Sequence, residues 1–227
     1  MDRSRLESFS DGVFAVAITL LALDLAVAGP GARNPALTTQ LADKWPAYVA
    51  YIISFFTIGV IWVNHHALMN NVLVVTRPLL FVNLGLLAVI VAIPFVTSTM
   101  AAYLTGGGHS AHAAQDSHVA AALYAGVFEL MSISFAVLFE WILRHDDCMR
   151  EPLAAAAKTP ARLRFYAGQI PYLLAIAVGF VSAPATLGIT GLVAIYYVVE
   201  RTRPAPQAPA AVSGRAAGPG RERSSRR

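Results

Sequence analysis

Charge and cysteine are what this chain has least of. Asp, Glu, Lys and Arg make up 13% of its 227 residues, about half of the ~25% found in an ordinary soluble domain. A chain so poor in charge lacks the side chains to cover a water-facing surface of the usual kind, which excludes a conventional soluble domain. The single cysteine, Cys148, has no second thiol to bridge within the chain and cannot build a Cys-rich zinc site. A phosphate-cradling Gly loop, a Walker sequence, an HExxH pair and a Ser-His-Asp order are also missing, which removes the common signatures of nucleotide-using and hydrolytic enzymes. No basic stripe with interleaved aromatics occurs, so nucleic acid is not an expected partner. No internal repeat is visible at half-chain spacing.

What the chain does have is hydrophobic length. Apolar runs occupy residues 9–28, 45–66, 79–104, 118–143, 165–183 and 184–199. At 1.5 Å rise per residue most of them reach about 25–35 Å, enough to cross a hydrocarbon core of about 30 Å. The expected fold class is therefore an all-α integral membrane protein: six transmembrane helices within residues 1–203, solvated by the lipid bilayer. Residues 204–227, dominated by Pro, Ala, Gly, Ser and Arg without an aromatic, are expected to form a disordered basic cytoplasmic tail, because they bury too little to offset ordering entropy. The last two runs nearly touch, so residues 181–184 must turn tightly, with Pro184 in the first turn of the sixth helix. Pro94 and Pro171 fall inside runs and predict kinks rather than ends.

The start of the chain imitates a secretory signal, with a basic opening, an apolar stretch and Ala26-Val27-Ala28 as a cleavage-like tripeptide. Asp11 and Asp24 interrupt that stretch and five more apolar runs follow, so it reads as a span. Orientation follows from the basic residues. With the N-terminus inside, all of the seventeen Lys and Arg residues except Arg33 and Lys44 fall in inner segments. That asymmetry places both termini in the cytoplasm.

Ionisable side chains within spans are costly and mark function by default. Here they are Asp11, Asp24, His65, His66, Glu129 and Glu140. The first span runs inward to outward and the second returns, so Asp11 should lie level with Asn64, His65 and His66. Trp62 is one turn deeper, Asn83 begins the third span there, and Glu140 with Arg144 ends the fourth there. A polar layer at the cytoplasmic side is predicted from direction of travel. Glu129, nearer the middle of its span, is either a protonated or locally bonded structural group or a relay. Glu140 and Arg144, at i and i+4, read most simply as a helix-surface pair.

The helical wheel of the first span sorts it into two faces. At about 100° per residue, Phe9, Gly12, Val16, Thr19, Leu20 and Leu23 share an arc of roughly 100°, while Asp11 points about 140° away from Val16. If Asp11 meets partners within its own subunit, the Val16 stripe is left facing lipid or another copy. Such a stripe is, from pattern alone, more often packing surface than pore. His109, His112 and His118 cluster near the Gly106-Gly107-Gly108 loop, and paired His65-His66 raise a haem or metal centre as a rival. Their spacing suits neither, since adjacent His residues on a helix diverge by about 100°. No TVGYG-type segment occurs, so an ion pathway would need something other than a ring of carbonyls.

At this point the first helix meets a family. Arg5-Leu6-Glu7-Ser8-Phe9-Ser10-Asp11, followed by Gly12-Val13-Phe14-Ala15-Val16-Ala17-Ile18-Thr19, resembles the R-x-x-x-F-S-D opening of the transmembrane protein 175 family, the endolysosomal potassium channel and its bacterial relatives. Trp62, Asn64 and His65 resemble that family's second-helix polar cluster. The resemblance implies a potassium-favouring cation channel rather than an enzyme, with K+ as the permeating ion and no cofactor. It further implies a multi-pass protein of the bacterial plasma membrane, a homotetramer whose first helices line a central pore. On the motif register Val16 falls at the main constriction, with Leu20 and Leu23 further out and Thr19 as the polar pore-lining residue. Relatives usually carry Ile or Leu at the first of these, so Val16 is a departure, and Leu20 or Leu23 could form the narrowest ring. Arg5, Phe9, Ser10 and Asp11 would be a structural motif, anchoring the inner end of the helix against Trp62, Asn64, His65 and Asn83. A proton- or cation-coupled carrier using Glu129 and Asp11 is the alternative, ahead of a haem or metal enzyme.

Overall fold

The computed structural model describes residues 2–31, 34–104 and 112–202; His109 and the expected tail at 204–227 lie outside them. Apart from an antiparallel bridge between Val72 and Met149, the regular structure of the described residues is helical. In chain order the helices are α1 (Arg3–Leu20), α2 (Leu37–Asp43), α3 (Trp45–Asn70), α4 (Arg77–Ile90), α5 (Ile93–Tyr103), α6 (Ala113–Arg144), α7 (Ala155–Ala167), α8 (Ile170–Gly179) and α9 (Ala183–Thr202). Among the described residues four stretches are long and apolar enough to cross a membrane: Arg3–Leu25, Trp45–Asn70, Arg77–Tyr103 and Ala113–Arg144. The apolar part of α9, Ala183–Val199, is shorter.

The prolines set the breaks, and the expected kinks are sharper than kinks. A proline ring collides with the carbonyl four residues earlier and supplies no N–H. For Pro94 that carbonyl belongs to Ile90, where α4 ends, and α5 restarts at Ile93 with the proline in its first turn. Pro171 repeats the pattern against Ala167, the last residue of α7, before α8 begins at Ile170. The expected fifth span is thus two helices. Pro184 does sit in the first turn of α9.

α6 is the central post. It packs against α4, α5, α8 and α9, and its Tyr124 and Phe128 are fully buried. Tyr124 carries its hydroxyl into the core, where Ser54 Oγ lies 3.0 Å away and 2.8 Å from Thr97 Oγ1. Three helices are therefore joined by hydroxyls that have partners in a setting where an unmatched polar group costs several kcal/mol, about 2–7. The sequence reading missed this cluster, because single Ser, Thr and Tyr residues in apolar runs carry no spacing signal. Glycine allows α8 to reach α6: a Cβ at Gly179 would stand 2.9 Å from Ala122 N and 3.1 Å from its Cα. Backbone cannot step aside as a side chain can, so Gly179→Ala is expected to cost about 1–3 kcal/mol. Thermal unfolding of the detergent-solubilised protein measures it; an unchanged midpoint would mean the helices are not in contact there.

The two ends of the bundle are fastened differently. At one end the 71–76 and 145–154 loops are stitched by Leu73 N to Cys148 O (2.8 Å), Arg150 N to Asn71 O (2.8 Å) and Glu151 N to Asn71 Oδ1 (2.9 Å). α7 is clamped there as well. Arg162 makes a two-pronged pair with Glu140, at 2.7 and 2.9 Å, and Lys158 pairs with Asp146 at 2.6 Å. Glu140 is therefore more than a surface partner of Arg144, since it also fastens α6 to α7. At the other end Ser98 donates to Asp24 (2.9 Å), and Lys44 donates to the carbonyls of Asp24 (3.0 Å) and Ala26.

Candidate functional site

α1 is two-faced, as its wheel predicts. Leu6, Ser10, Phe14, Ala17 and Leu21 are buried against the subunit, whereas Phe9, Gly12, Val16, Thr19, Leu20 and Leu23 are exposed. Val16 leaves 53% and Leu23 70% of its surface uncovered. The helix tightens to a 3-10 turn over Leu21–Leu25, which the sequence reading did not anticipate. In a 3-10 turn residues i and i+3 eclipse, so Leu20 and Leu23 stand nearly in line. Thr19 Oγ1 donates to Val16 O at 2.9 Å. With its proton spent on the helix backbone, that hydroxyl turns lone pairs toward the stripe, the one oxygen acceptor among apolar groups.

The buried face carries the polar anchor. Asn83 Nδ2 donates to Ser10 Oγ at 3.0 Å, and its Oδ1 lies 2.7 Å from His65 Nε2. All three residues are buried, and one amide ties α1, α3 and α4. Because Asn83 Oδ1 can only accept, His65 Nε2 carries the proton in this pair. The His65 ring packs on Phe14 at 5.4 Å between centroids. Beside this trio Trp62 Nε1 donates to Asp11 Oδ1 at 2.9 Å, and His66 lies 6.2 Å from the Trp62 ring.

Three of the expected motif residues sit elsewhere. Asn64 is not part of the anchor: it faces a cavity between α3, α6, α7, α8 and α9, and its buried Oδ1 has no partner among the described residues. One residue from His65, it is turned about 100° away, so the pair cannot share a neighbour. Arg5 is exposed and makes no hydrogen bond or ion pair among the described residues. Its expected anchoring contact falls instead to Arg3, which bonds Asn70 at the end of α3 and Glu7 at 3.4 Å. Phe9 is exposed on the Val16 face. Among the described residues no three His, Cys, Asp or Glu side chains gather in metal-binding range.

A bundle of apolar helices, four stretches of it long enough to cross a membrane, whose first helix carries an exposed apolar stripe on one face and a buried polar trio on the other, defines an integral membrane protein. Comparison with known proteins agrees with this class. The family described as endosomal/lysosomal potassium channel TMEM175 matches residues 5–94. A potassium channel of Streptomyces collinus is 42% identical over 197 residues, covering 86% of this chain and 91% of its own length. A potassium channel of Chamaesiphon minutus is 32% identical over 88% of this chain and 95% of that one. The crystal structure of a lysosomal potassium-selective channel TMEM175 homologue from Chamaesiphon minutus superposes with a TM-score of 0.73 at 32% identity, over 88% of this chain and 98% of that one. The chain belongs to the TMEM175 family, a family of ion channels and not of enzymes.

Proposed function

We propose that this protein is a potassium-selective channel of the bacterial plasma membrane, formed by four copies whose α1 helices surround a central pore. The observation that carries the reading is the bare Phe9, Gly12, Val16, Thr19, Leu20 and Leu23 face of α1. One face about 100° wide cannot enclose a conduit, so several copies must contribute it. Relatives that match nearly end to end are named potassium channels, which supports K+ as the permeating ion. Six spans follow if α7 and α8 together make the fifth crossing and α9 the sixth. With an even number of crossings, the distribution of Lys and Arg puts both termini in the cytoplasm, and the stitched 71–76 and 145–154 loops lie on that side.

In this reading Val16, Leu20 and Leu23 form successive apolar rings, and Thr19 offers the ring of oxygens between them. Arg3 and the Ser10, Asn83 and His65 trio hold the helix in place without touching the ion. The test is purified protein in potassium-loaded vesicles. Passive flux that follows the imposed voltage, carried by a species of tetramer mass in mild detergent, is the expected outcome. Flux from a monomer, or transport that runs only when coupled to a proton gradient, would defeat it.

A further inference from the structure

Each subunit carries a partly open chamber that the α1 pore face does not use. It holds about 380 Å³ between α3 and α6, with α7, α8 and α9 completing its wall. Volumes of about 300–1,000 Å³ with a few convergent polar groups are typical of small-molecule sites. Asn64 lines this chamber from α3, and its buried Oδ1 has no partner among the described residues. Ser132 adds a hydroxyl from α6. The other side of the chamber is aromatic. Phe165 of α7 stacks on Phe135 and Phe139 of α6, at 5.5 and 4.7 Å between centroids and with planes 6° and 13° apart. The three rings lie nearly parallel, so one more flat ring can join them in the offset geometry that aromatic pairs favour. No charged side chain is among the lining residues.

The chemistry selects the ligand. With no charge on the wall, an ion of either sign would lose its hydration here without a counter-charge, so the ligand is neutral. A buried amide oxygen needs a donor, so the ligand carries one. Water would answer the amide and leave the rings without a packing partner; an aromatic hydrocarbon would do the reverse. A ring bearing a hydroxyl satisfies both, and a hydroxyl also accepts, which lets it pair with the amide oxygen and with a second donor at once. Size sets the upper limit: a cavity of about 150 Å³ is enough for benzene, so this one has room for a phenol with short alkyl groups. We propose that this chamber is a binding site for small neutral phenols, separate from the α1 pore face. The hydroxyl donates to Asn64 Oδ1, and the ring lies among Phe135, Phe139 and Phe165.

The experiment compares thymol with para-cymene, the same hydrocarbon without the hydroxyl. Each is titrated into the full-length protein in mild detergent, by calorimetry and by thermal shift, against protein-free micelles of the same detergent. Thymol is expected to bind saturably and about two- to tenfold tighter than para-cymene, the net worth of one neutral hydrogen bond. Asn64→Leu should bring that ratio to about one, because it removes the acceptor and keeps the chamber apolar. Ser132→Phe from α6 and Ala161→Phe from α7, which fill the chamber, should abolish binding of both compounds. Absence of saturable thymol binding, equal affinity for the two compounds, or a preference that survives Asn64→Leu overturns the site. So does binding retained in both filled variants, which would move it elsewhere on the protein. If a variant fails to fold, the ratio measured on the wild-type protein still decides. The site is independent of the channel reading: thymol binding without potassium flux would sink only that reading, and flux without thymol binding would sink only this one.

Discussion

Polar substitution of the α1 stripe is expected to raise single-channel conductance and blunt the preference for potassium over sodium. A ring of apolar side chains in a narrow tube holds water poorly, so an ion crossing it sheds hydration without a compensating ligand. Between Phe9 and Leu23 no charged side chain lies on this face, Arg5 standing on it only at the inner end, and Asp24 is held by Ser98, so hydration and radius set the barrier. In the proposed tetramer, replacing Val16 or Leu20 by Asn puts four amides where four hydrocarbons stood. A barrier lower by about 1.4 kcal/mol passes ions about tenfold faster. Val16→Leu should cut flux if that ring is limiting and do little if Leu20 and Leu23, eclipsed in the 3-10 turn, make the narrower pair. Thr19→Val, which removes the only oxygens on the stripe, should lower conductance. Planar-bilayer recordings read all of these. Unchanged conductance and ion preference in Val16→Asn, Leu20→Asn and Leu23→Asn alike would mean the face packs against lipid or protein and lines nothing.

The second large effect concerns assembly, and the structure ranks residues that look equivalent in the sequence. Asn83→Ala should be the most damaging change in the polar anchor, because it strips a partner from both Ser10 and His65, each buried. At roughly 1–3 kcal/mol for each group left unpaired, the loss is comparable with much of a membrane bundle's margin. His65→Ala should cost less, since it orphans one amide oxygen and removes a ring from Phe14. Asp11→Ala should cost least, because Asp11 is half-buried and its partner Trp62 is partly exposed. Thermal stability and the fraction remaining oligomeric in mild detergent give the ranking. Wild-type stability in Asn83→Ala together with a large shift in ion preference would assign the trio to selectivity instead.

Four of the spans, the two faces of α1 and the level at which Ser10, Asp11, Trp62, His65 and Asn83 meet were legible without coordinates. Each rests on a local rule: hydrophobic length, 100° per residue, or the direction a crossing helix must travel. The breaks at Ile90 and Ala167 were half legible. Proline announces a disturbance, but whether neighbouring helices repair it or the chain restarts depends on what packs there. Arg5 and Arg3 illustrate the limit of a motif, since two residues on one terminal turn compete for the end of α3 and only their side-chain directions decide between them.

What the sequence determined by itself is everything that follows from the solvent. Few charges and long apolar runs require helices that satisfy their own backbone in lipid, and the Lys and Arg count supplies the orientation proposed for them. What only the tertiary structure decided is which polar atoms within those helices find one another. Asn64 and His65 are adjacent in the chain, yet one closes a three-helix hydrogen-bond trio and the other opens into a cavity. Ser54, Thr97 and Tyr124 are scattered, yet they share one network. In lipid the apolar background is the same in every direction, so outside α1, where Asp11 marks one face, the hydrophobic pattern that sorts inside from outside in water sorts little here. Packing shape and the pairing of a few buried donors and acceptors decide, and those are properties of the assembled bundle.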